Sequence, residues 1–340
     1  MPEIHGHRGA RALRPENTLP GLTCALAIGV DAIEFDVTLT ADGGLILAHD
    51  LVVSSHTVLD TAPVCAGDPV FPYVGKPWTA LTLAQIATLD AGGRRPVTPF
   101  EATFEAVPAA GVPTLDQVCR LVTSLGAHSV TLATELKTNP RWPAADVRRL
   151  TEAALETLAA HGLTSQARIL AFDWRVLRAA QAAEPAVPRV ALVDPVTWVP
   201  GSDWLAGLDP AGYASQPVGL PPSGPRPGAL ESGGTRQVGP RPGALESGGT
   251  QQGGAVGCAA AARDIEAAWL SPADSMTSAD LVAAAQREGL RTAVWTVNDP
   301  ARMADLVELK VDAIVTDRPD LLRQVLADHG DKLPRPVPQS

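Results

Sequence analysis

Three histidines, an arginine and three carboxylates fall near the ends of short apolar runs early in this 340-residue chain. They stand in His5-Gly6-His7-Arg8-Gly9-Ala10, in Glu34-Phe35-Asp36 and in His49-Asp50. An imidazole exchanges protons near neutral pH. A guanidinium grips a phosphate bidentately, and paired carboxylates hold a hard cation. Strand ends are where α/β proteins place their chemistry. Together these groups point to metal-assisted phosphoester chemistry.

Such groups need rigid carriers. In Asp31–Val37 the side chains alternate, Ile33, Phe35 and Val37 facing one way and Glu34 and Asp36 the other. In a barrel strand the apolar set packs on helices and both carboxylates point inward, where charge is costly unless paired or metal-bound; a solvated strand face is the plainer alternative. Further strands are predicted near Glu3–Gly6, Gly44–Ala48, Ser129–Glu135, Arg168–Phe172, Arg189–Val193, Ala267–Leu270, Arg291–Val297 and Ala313–Thr316. Helical patterns at Thr18–Ile28, Thr114–Leu125, Ala144–Ala160 and Ala279–Glu288 each run into a glycine. This alternation predicts an α/β fold with a parallel sheet and outer helices, and at this length a (β/α)8 TIM barrel leads. Nine candidates compete for eight places, however. The gap from Val37 to Gly44 is also too short for a helical crossover, which takes about a dozen residues or more. Either two strands are joined irregularly or one candidate lies outside the barrel.

The order of the motifs resembles the glycerophosphodiester phosphodiesterase family. The chain carries His7-Arg8-Gly9, Pro15-Glu16-Asn17-Thr18, Glu34-Phe35-Asp36, Thr40-Ala41-Asp42-Gly43 and His49-Asp50. Pro113-Thr114-Leu115, Thr134-Glu135-Leu136-Lys137, Trp295-Thr296-Val297-Asn298 and Thr316-Asp317-Arg318-Pro319 follow. The resemblance implies a barrel over residues 1–50 and 113–330 with a cap insertion over 51–112, after the third strand. It implies metal-dependent hydrolysis of small-molecule glycerophosphodiesters to glycerol 3-phosphate and an alcohol. His7 and His49 would be the acid–base pair, since two imidazoles of opposite protonation can take one proton and deliver another. Arg8 would bind the phosphate, its plainer role being a pair with Glu16. Glu135 would join Glu34 and Asp36 as a third carboxylate ligand. Three carboxylates without a thiolate favour Mg²⁺ or Ca²⁺. Lys137 would add charge near the phosphate or simply pair with Glu135, and Trp295 would wall the pocket or sit in the core. Asp50 and Glu16 are read as orienting their neighbours. Gly6 departs from the alanine that commonly precedes His-Arg-Gly.

Competing readings are a phospholipase D-like activity on lysolipids or sphingolipids and a barrel that binds phosphodiesters without turnover. His5-x-His7, with Lys137 and Asp317, also matches amidohydrolase-type metal barrels. Those need histidines after the fifth and sixth strands, where this chain has Phe172-Asp173 and Val193-Asp194.

Other features bound the rest. Phe71, Tyr73 and Trp78 give the insertion an apolar patch that either walls the pocket or packs on the barrel. Gly224–Val238 recurs almost unchanged as Gly239–Gly253, so residues 219–255 are expected to form a disordered loop within the barrel domain. A net charge of −10 argues against nucleic acid and anionic lipid as partners. Four scattered cysteines form no disulfide framework or zinc knuckle. The opening residues lack a basic n-region and an apolar core, and no apolar run reaches the roughly 18 residues of a span. A cytoplasmic enzyme without stable membrane insertion is expected; the oligomeric state is not legible.

Overall fold

Threonine caps and glycine stops divide the chain into short carriers. The computed structural model describes residues 1–95, 100–213 and 251–338, the side chains of 251–255 aside. β1 (Glu3–Gly6) leads through α1 (Leu19–Ile28) to β2 (Ala32–Leu39), which turns back into β3 (Leu45–Leu47). The short α2 (Leu83–Ile86) belongs to the insertion. Then come α3 (Leu115–Ser124), β4 (Thr131–Leu136), α4 (Ala144–Ala160), β5 (Ala167–Ala171), α5 (Trp174–Ala183) and β6 (Arg189–Val193). α6 (Gln251–Asp264), β7 (Trp269–Pro272), α7 (Ala279–Arg287), β8 (Arg291–Val294), α8 (Pro300–Glu308), β9 (Ala313–Thr316) and α9 (Pro319–Asp328) complete the alternation.

Eight strands pair in parallel around a closed ring, β1-β2-β4-β5-β6-β7-β8-β9, with β9 returning to β1 from Glu3↔Ala313 to Gly6↔Thr316. The fold is the expected TIM barrel. β3 is the surplus candidate: it runs antiparallel to β2, with Leu47 opposite Val37. The gap too short for a crossover is a hairpin turn. The Thr40 N–H donates to the Gly44 carbonyl, and Gly43 takes a left-handed φ of +82°. Asp42 accepts the Thr40 hydroxyl at 2.6 Å and the Leu83 N–H at 3.1 Å, fastening the hairpin to the start of α2. The insertion therefore follows the third strand in the chain but leaves from outside the ring, between the second and third barrel strands.

The alternation in β2 has its predicted consequence. Ile33, Phe35 and Val37 join the outer core with Leu22, Leu26 and Val118, while Ala32, Ala133, Leu170 and Val190 fill the interior. Burying a side chain such as Phe35 is worth roughly 1.5–3 kcal/mol, which locks the register that aims Glu34 and Asp36 inward. The opposite end of the barrel is closed by Trp269 between two guanidinium groups, Arg168 at 4.4 Å and Arg291 at 4.0 Å from its ring centre. Glu3 accepts from Arg168 and lies 2.9 Å from His5 Nε2, so His5 is part of this plug and not of the chemistry above it.

The insertion builds its own small core. Tyr73, Trp78, Leu81, Ile86 and Leu89 are buried together with Ile46 of β3. The aromatic patch therefore holds the insertion together and does not wall the phosphate cavity. The tandem repeat lies outside the described residues as far as residue 250; the chain resumes in α6 at Gln251. No helix among the described residues is long and apolar enough to cross a membrane.

Candidate active site

The turn that follows β1 sets the first half of the site. The His7 N–H donates to the Thr316 carbonyl at 2.9 Å, so β9 carries β1 past its end. Arg8 (φ +49°) and Gly9 (φ +88°) then bend the chain back over β2. A Cβ on Gly9 would stand 2.6 Å from the Gly21 backbone, and one on Gly6 would stand 2.3 Å from the Gly9 carbonyl oxygen. Gly9 is required by its positive φ, and at Gly6 the turn as it stands leaves no room for a Cβ. Through it the Arg8 N–H donates to Glu34 Oε2 at 2.8 Å.

Pro15-Glu16-Asn17-Thr18 supports the same turn from α1. Thr18 caps the helix by accepting the Gly21 N–H at 3.2 Å. The Asn17 amide donates to Asp36 Oδ2 at 2.8 Å and accepts the Asp36 N–H at 3.1 Å. Glu16 accepts from Arg8 at 2.9 Å. The orienting role expected of Glu16 fits this contact, but Asn17 holds a carboxylate more directly than the sequence indicated.

Parallel pairing sets Asp36 beside Glu135 on β4. Glu34, Asp36 and Glu135 are all buried, and each offers an oxygen within 4.8 Å of the others. The Lys137 ammonium bridges two of them, 2.5 Å from Glu135 and 3.0 Å from Asp36. Burial opposes ionisation of Asp36, but the Lys137 and Arg8 charges outweigh it and hold that carboxyl well below the usual range. Glu34 goes the other way: burial, then Asp36 and Glu135, push its carboxyl well up. Glu135 is raised by burial as well, against the pull of Lys137. Asp36 Oδ1 and Arg8 Nε are buried and make ion-pair contacts only, Oδ1 with the Lys137 ammonium at 3.0 Å and Nε with Asp36 Oδ2 at 3.3 Å. A crowded, buried set of three carboxylates that offers only oxygen ligands fits a hard divalent cation.

The two histidines arrive by different routes. His7 Nδ1 lies 2.6 Å from Asp317 Oδ1, just past β9. Burial opposes ionisation of Asp317, yet His7 and Arg11 hold its carboxyl far below the usual range. An ionised carboxylate only accepts, so Nδ1 carries the proton and Nε2 keeps its lone pair. Burial and the Arg8 charge lower the His7 pKa from its ordinary value, against the pull of Asp317. Arg11 and Asn298 also donate to Asp317, at 2.8 Å and 2.7 Å.

His49 comes back on the β2–β3 hairpin. The Ala48 N–H donates to the Asp36 carbonyl at 3.1 Å, which sets the next residue over the carboxylates. His49 Nδ1 stands 2.9 Å from Asp50, whose carbonyl accepts the Trp78 indole N–H at 2.7 Å. Asp50 thus orients its neighbour, and the insertion braces it. That contact lowers the Asp50 carboxyl pKa.

One cavity is lined by His7, Arg8, Glu34, His49, Glu135 and Lys137, with Trp295 and Phe172 along its wall. Trp295 donates to the Ser271 carbonyl at 2.9 Å and meets Phe172 edge-on, centroids 5.3 Å apart. Every site residue predicted from the sequence therefore converges here, Asp36 lying just behind the lining. Asp317, Arg11 and Asn17 were missed as participants. Asn17 and Asp317 were visible in the Pro15–Thr18 and Thr316–Pro319 motifs, the first without a role of its own and the second only as a candidate in the amidohydrolase alternative; Arg11 gave no signal. The two positions that count against an amidohydrolase centre carry carboxylates and no histidine: Asp173 pairs with Arg175 at 2.6 Å, and Asp194 accepts the Thr197 N–H at 2.7 Å.

Comparison with known proteins gives this geometry a context. The model of the glycerophosphoryl diester phosphodiesterase family matches residues 7–214 and 249–321. A glycerophosphodiester phosphodiesterase from Caldanaerobacter subterraneus is 43% identical over 54 residues, 16% of this chain and 22% of that one. A relative from Mycobacterium tuberculosis is 51% identical over 49 residues, again with only 18% of its length spanned. Solved structures match the whole fold. One from Silicibacter pomeroyi has a TM-score of 0.74 at 24% identity, covering 98% of this chain and 95% of its own. An Oleispira antarctica phosphodiesterase, solved in complex with the product sn-glycerol-3-phosphate, has a TM-score of 0.63 at 20% identity over 96% and 97% of the two chains.

Proposed function

The chain belongs to the glycerophosphoryl diester phosphodiesterase family, and from that premise we propose that it hydrolyses glycerophosphodiesters to glycerol 3-phosphate and an alcohol. The observation that carries the reading is the convergence of His7, His49, Arg8 and Lys137 on three buried carboxylates in one cavity. The product held by the Oleispira phosphodiesterase supports the same substrate class.

Arg8 and Lys137 meet the phosphate charge; a guanidinium bound to an anionic oxygen makes strong, directional hydrogen bonds. Glu34, Asp36 and Glu135 would hold a divalent cation, Mg²⁺ or Ca²⁺, which would supply further positive charge beside the phosphoryl oxygens. His7, with its Nδ1 proton committed to Asp317, accepts the proton of the attacking water at Nε2. His49, nearer the mouth and beside Asp50, delivers a proton to the leaving alkoxide as the phosphorus–oxygen bond breaks. The new bond is from water oxygen to phosphorus, and the proton lost by water balances the one gained by the alcohol. Asp317 and Asp50 each hold an imidazole in place and take no proton themselves. The reading extends to a water-soluble substrate, supported by the acidic net charge, which disfavours docking on anionic lipid.

The test is turnover of purified protein on glycerophosphocholine with metals varied. Release of choline that stops on chelation and returns with Mg²⁺ or Ca²⁺ is expected. Substitution of His7 or His49 by alanine should each lower the rate roughly 10²–10⁴-fold. Full activity of a verified metal-free protein, or of either histidine variant, would refute the corresponding part.

A further inference from the structure

Beside the phosphate cavity the barrel mouth opens into a groove of about 730 Å³ that shares His49, Glu135, Lys137 and Phe172 with it. This groove has the size for the alcohol half of a diester, and its walls differ from the cavity in charge. Asp194, Val196 and Trp204 line it together with Asp50 and Val52.

Three observations define what it accepts. Asp194, just past β6, is half-buried and uses only Oδ1 locally, accepting the Val196 and Thr197 N–H groups at 2.9 and 2.7 Å. Its Oδ2 has no hydrogen-bond partner among the described residues. Trp204, in the one-turn Asp203–Leu205 segment, is half-buried, and its indole has neither ring nor hydrogen-bond partner among the described residues. Lys137, the one lysine or arginine among the lining residues, belongs to the side shared with the phosphate cavity, and nearby Arg175 is paired with Asp173. The site is therefore bipolar. Arg8 and Lys137 mark a phosphate end, while a free carboxylate oxygen and an aromatic face mark the other.

We propose that this groove binds the leaving alcohol and selects one that carries an ammonium group, with Asp194 as counter-charge and Trp204 as aromatic platform. This rests on the phosphodiesterase reading above. An ammonium over an indole is attracted by the negative ring face, the more so when partly removed from water. A carboxylate or second phosphate in the same place would meet Asp194 and Asp50 and be repelled. A neutral polyol would gain neither interaction.

The decisive comparison is glycerophosphocholine against its 3,3-dimethylbutyl isostere, in which a carbon replaces the cationic nitrogen without changing shape. Wild-type kcat/KM should favour the charged diester about tenfold. Asp194→Asn keeps the acceptor that Val196 and Thr197 need, and should lower that ratio several-fold. Trp204→Leu should do the same, and Trp204→Phe should restore most of it. Equal efficiency of wild-type protein on the two diesters overturns the assignment even if the variants do not fold. So does a variant that lowers both efficiencies alike or leaves the ratio unmoved. Turnover of neither diester would sink the phosphodiesterase reading, and this proposal with it; equal turnover sinks the groove assignment alone.

Discussion

His7 Nδ1 and Asp317 Oδ1 stand 2.6 Å apart, joining the end of the first barrel strand to the end of the last. The contact fixes which imidazole nitrogen carries the proton. Asp317→Asn would put an amide where His7 needs an acceptor and would release Arg11 from its bidentate hold. The expected outcome is a fall in kcat of roughly 10²-fold or more with little change in KM. Steady-state kinetics on the variant, with circular dichroism confirming the fold, checks it. An unchanged kcat would remove Asp317 from the mechanism.

The carboxylate set makes metal binding and pH interdependent. Burial, with Asp36 and Glu135, pushes the Glu34 carboxyl well up. A raised folded-state pKa gives stability that is complete below the unfolded value and is lost as pH rises through the folded value. Metal-free protein should therefore weaken as Glu34 is forced to ionise, and a cation that binds the ionised set should reverse this. Thermal melts should show a larger Tm gain from Mg²⁺ or Ca²⁺ at about pH 8 than at about pH 5. Glu34→Gln should raise the metal-free Tm at the higher pH and remove the gain. A gain independent of pH would contradict the assignment.

Arg8 lines the phosphate cavity, with Nη1 donating to Glu16 at 2.9 Å and Nε facing Asp36 at 3.3 Å. Such a guanidinium has donor capacity left for an anion. Arg8→Met should weaken competitive inhibition by sn-glycerol 3-phosphate by roughly tenfold to a hundredfold, since hydrogen bonds to charged groups are worth about 1.5–3 kcal/mol. Inhibition constants measure it directly. An unchanged constant would mean that Arg8 is only structural.

Gly6 is a fourth point to test. An alanine there would drive its Cβ to 2.3 Å from the Gly9 carbonyl oxygen and would also press on Ala25. Displacing this turn costs about 1–3 kcal/mol, a fall in Tm of roughly 2–10 °C. It should also lower kcat, because the same turn aims Arg8 at Glu34. A differential melt and a rate measurement on Gly6→Ala test both. A neutral substitution would show that the turn yields freely.

How much of this was legible in the chain depends on distance along it. Glu34 and Asp36 could be placed on an inward face because strand alternation is local. The same alternation explains why Ile33 and Phe35 were rightly assigned to the outer core. His49 was legible as a residue but not as a position, since its return over Asp36 depends on β3 pairing antiparallel with β2. The short gap from Val37 to Gly44 showed that something was irregular there, but not that this strand was the one outside the ring. Asp317 had no visible partner because only ring closure brings it to His7, 310 residues away. Phe71, Tyr73 and Trp78 were ambiguous for a related reason: an apolar cluster says that something is buried, but not against what. Trp204 and Asp194 gave no signal at all, as their meeting at one groove follows from the placement of two separate loops.

The most direct measurement is identification of the products by ³¹P NMR when metal-loaded protein turns over glycerophosphocholine, alongside lysophosphatidylcholine at matched concentration. Glycerol 3-phosphate and choline, formed with the higher kcat/KM on the short diester, are the expected result. Phosphocholine and glycerol as products, no turnover of the short diester, or a clear preference for the lysolipid would contradict it.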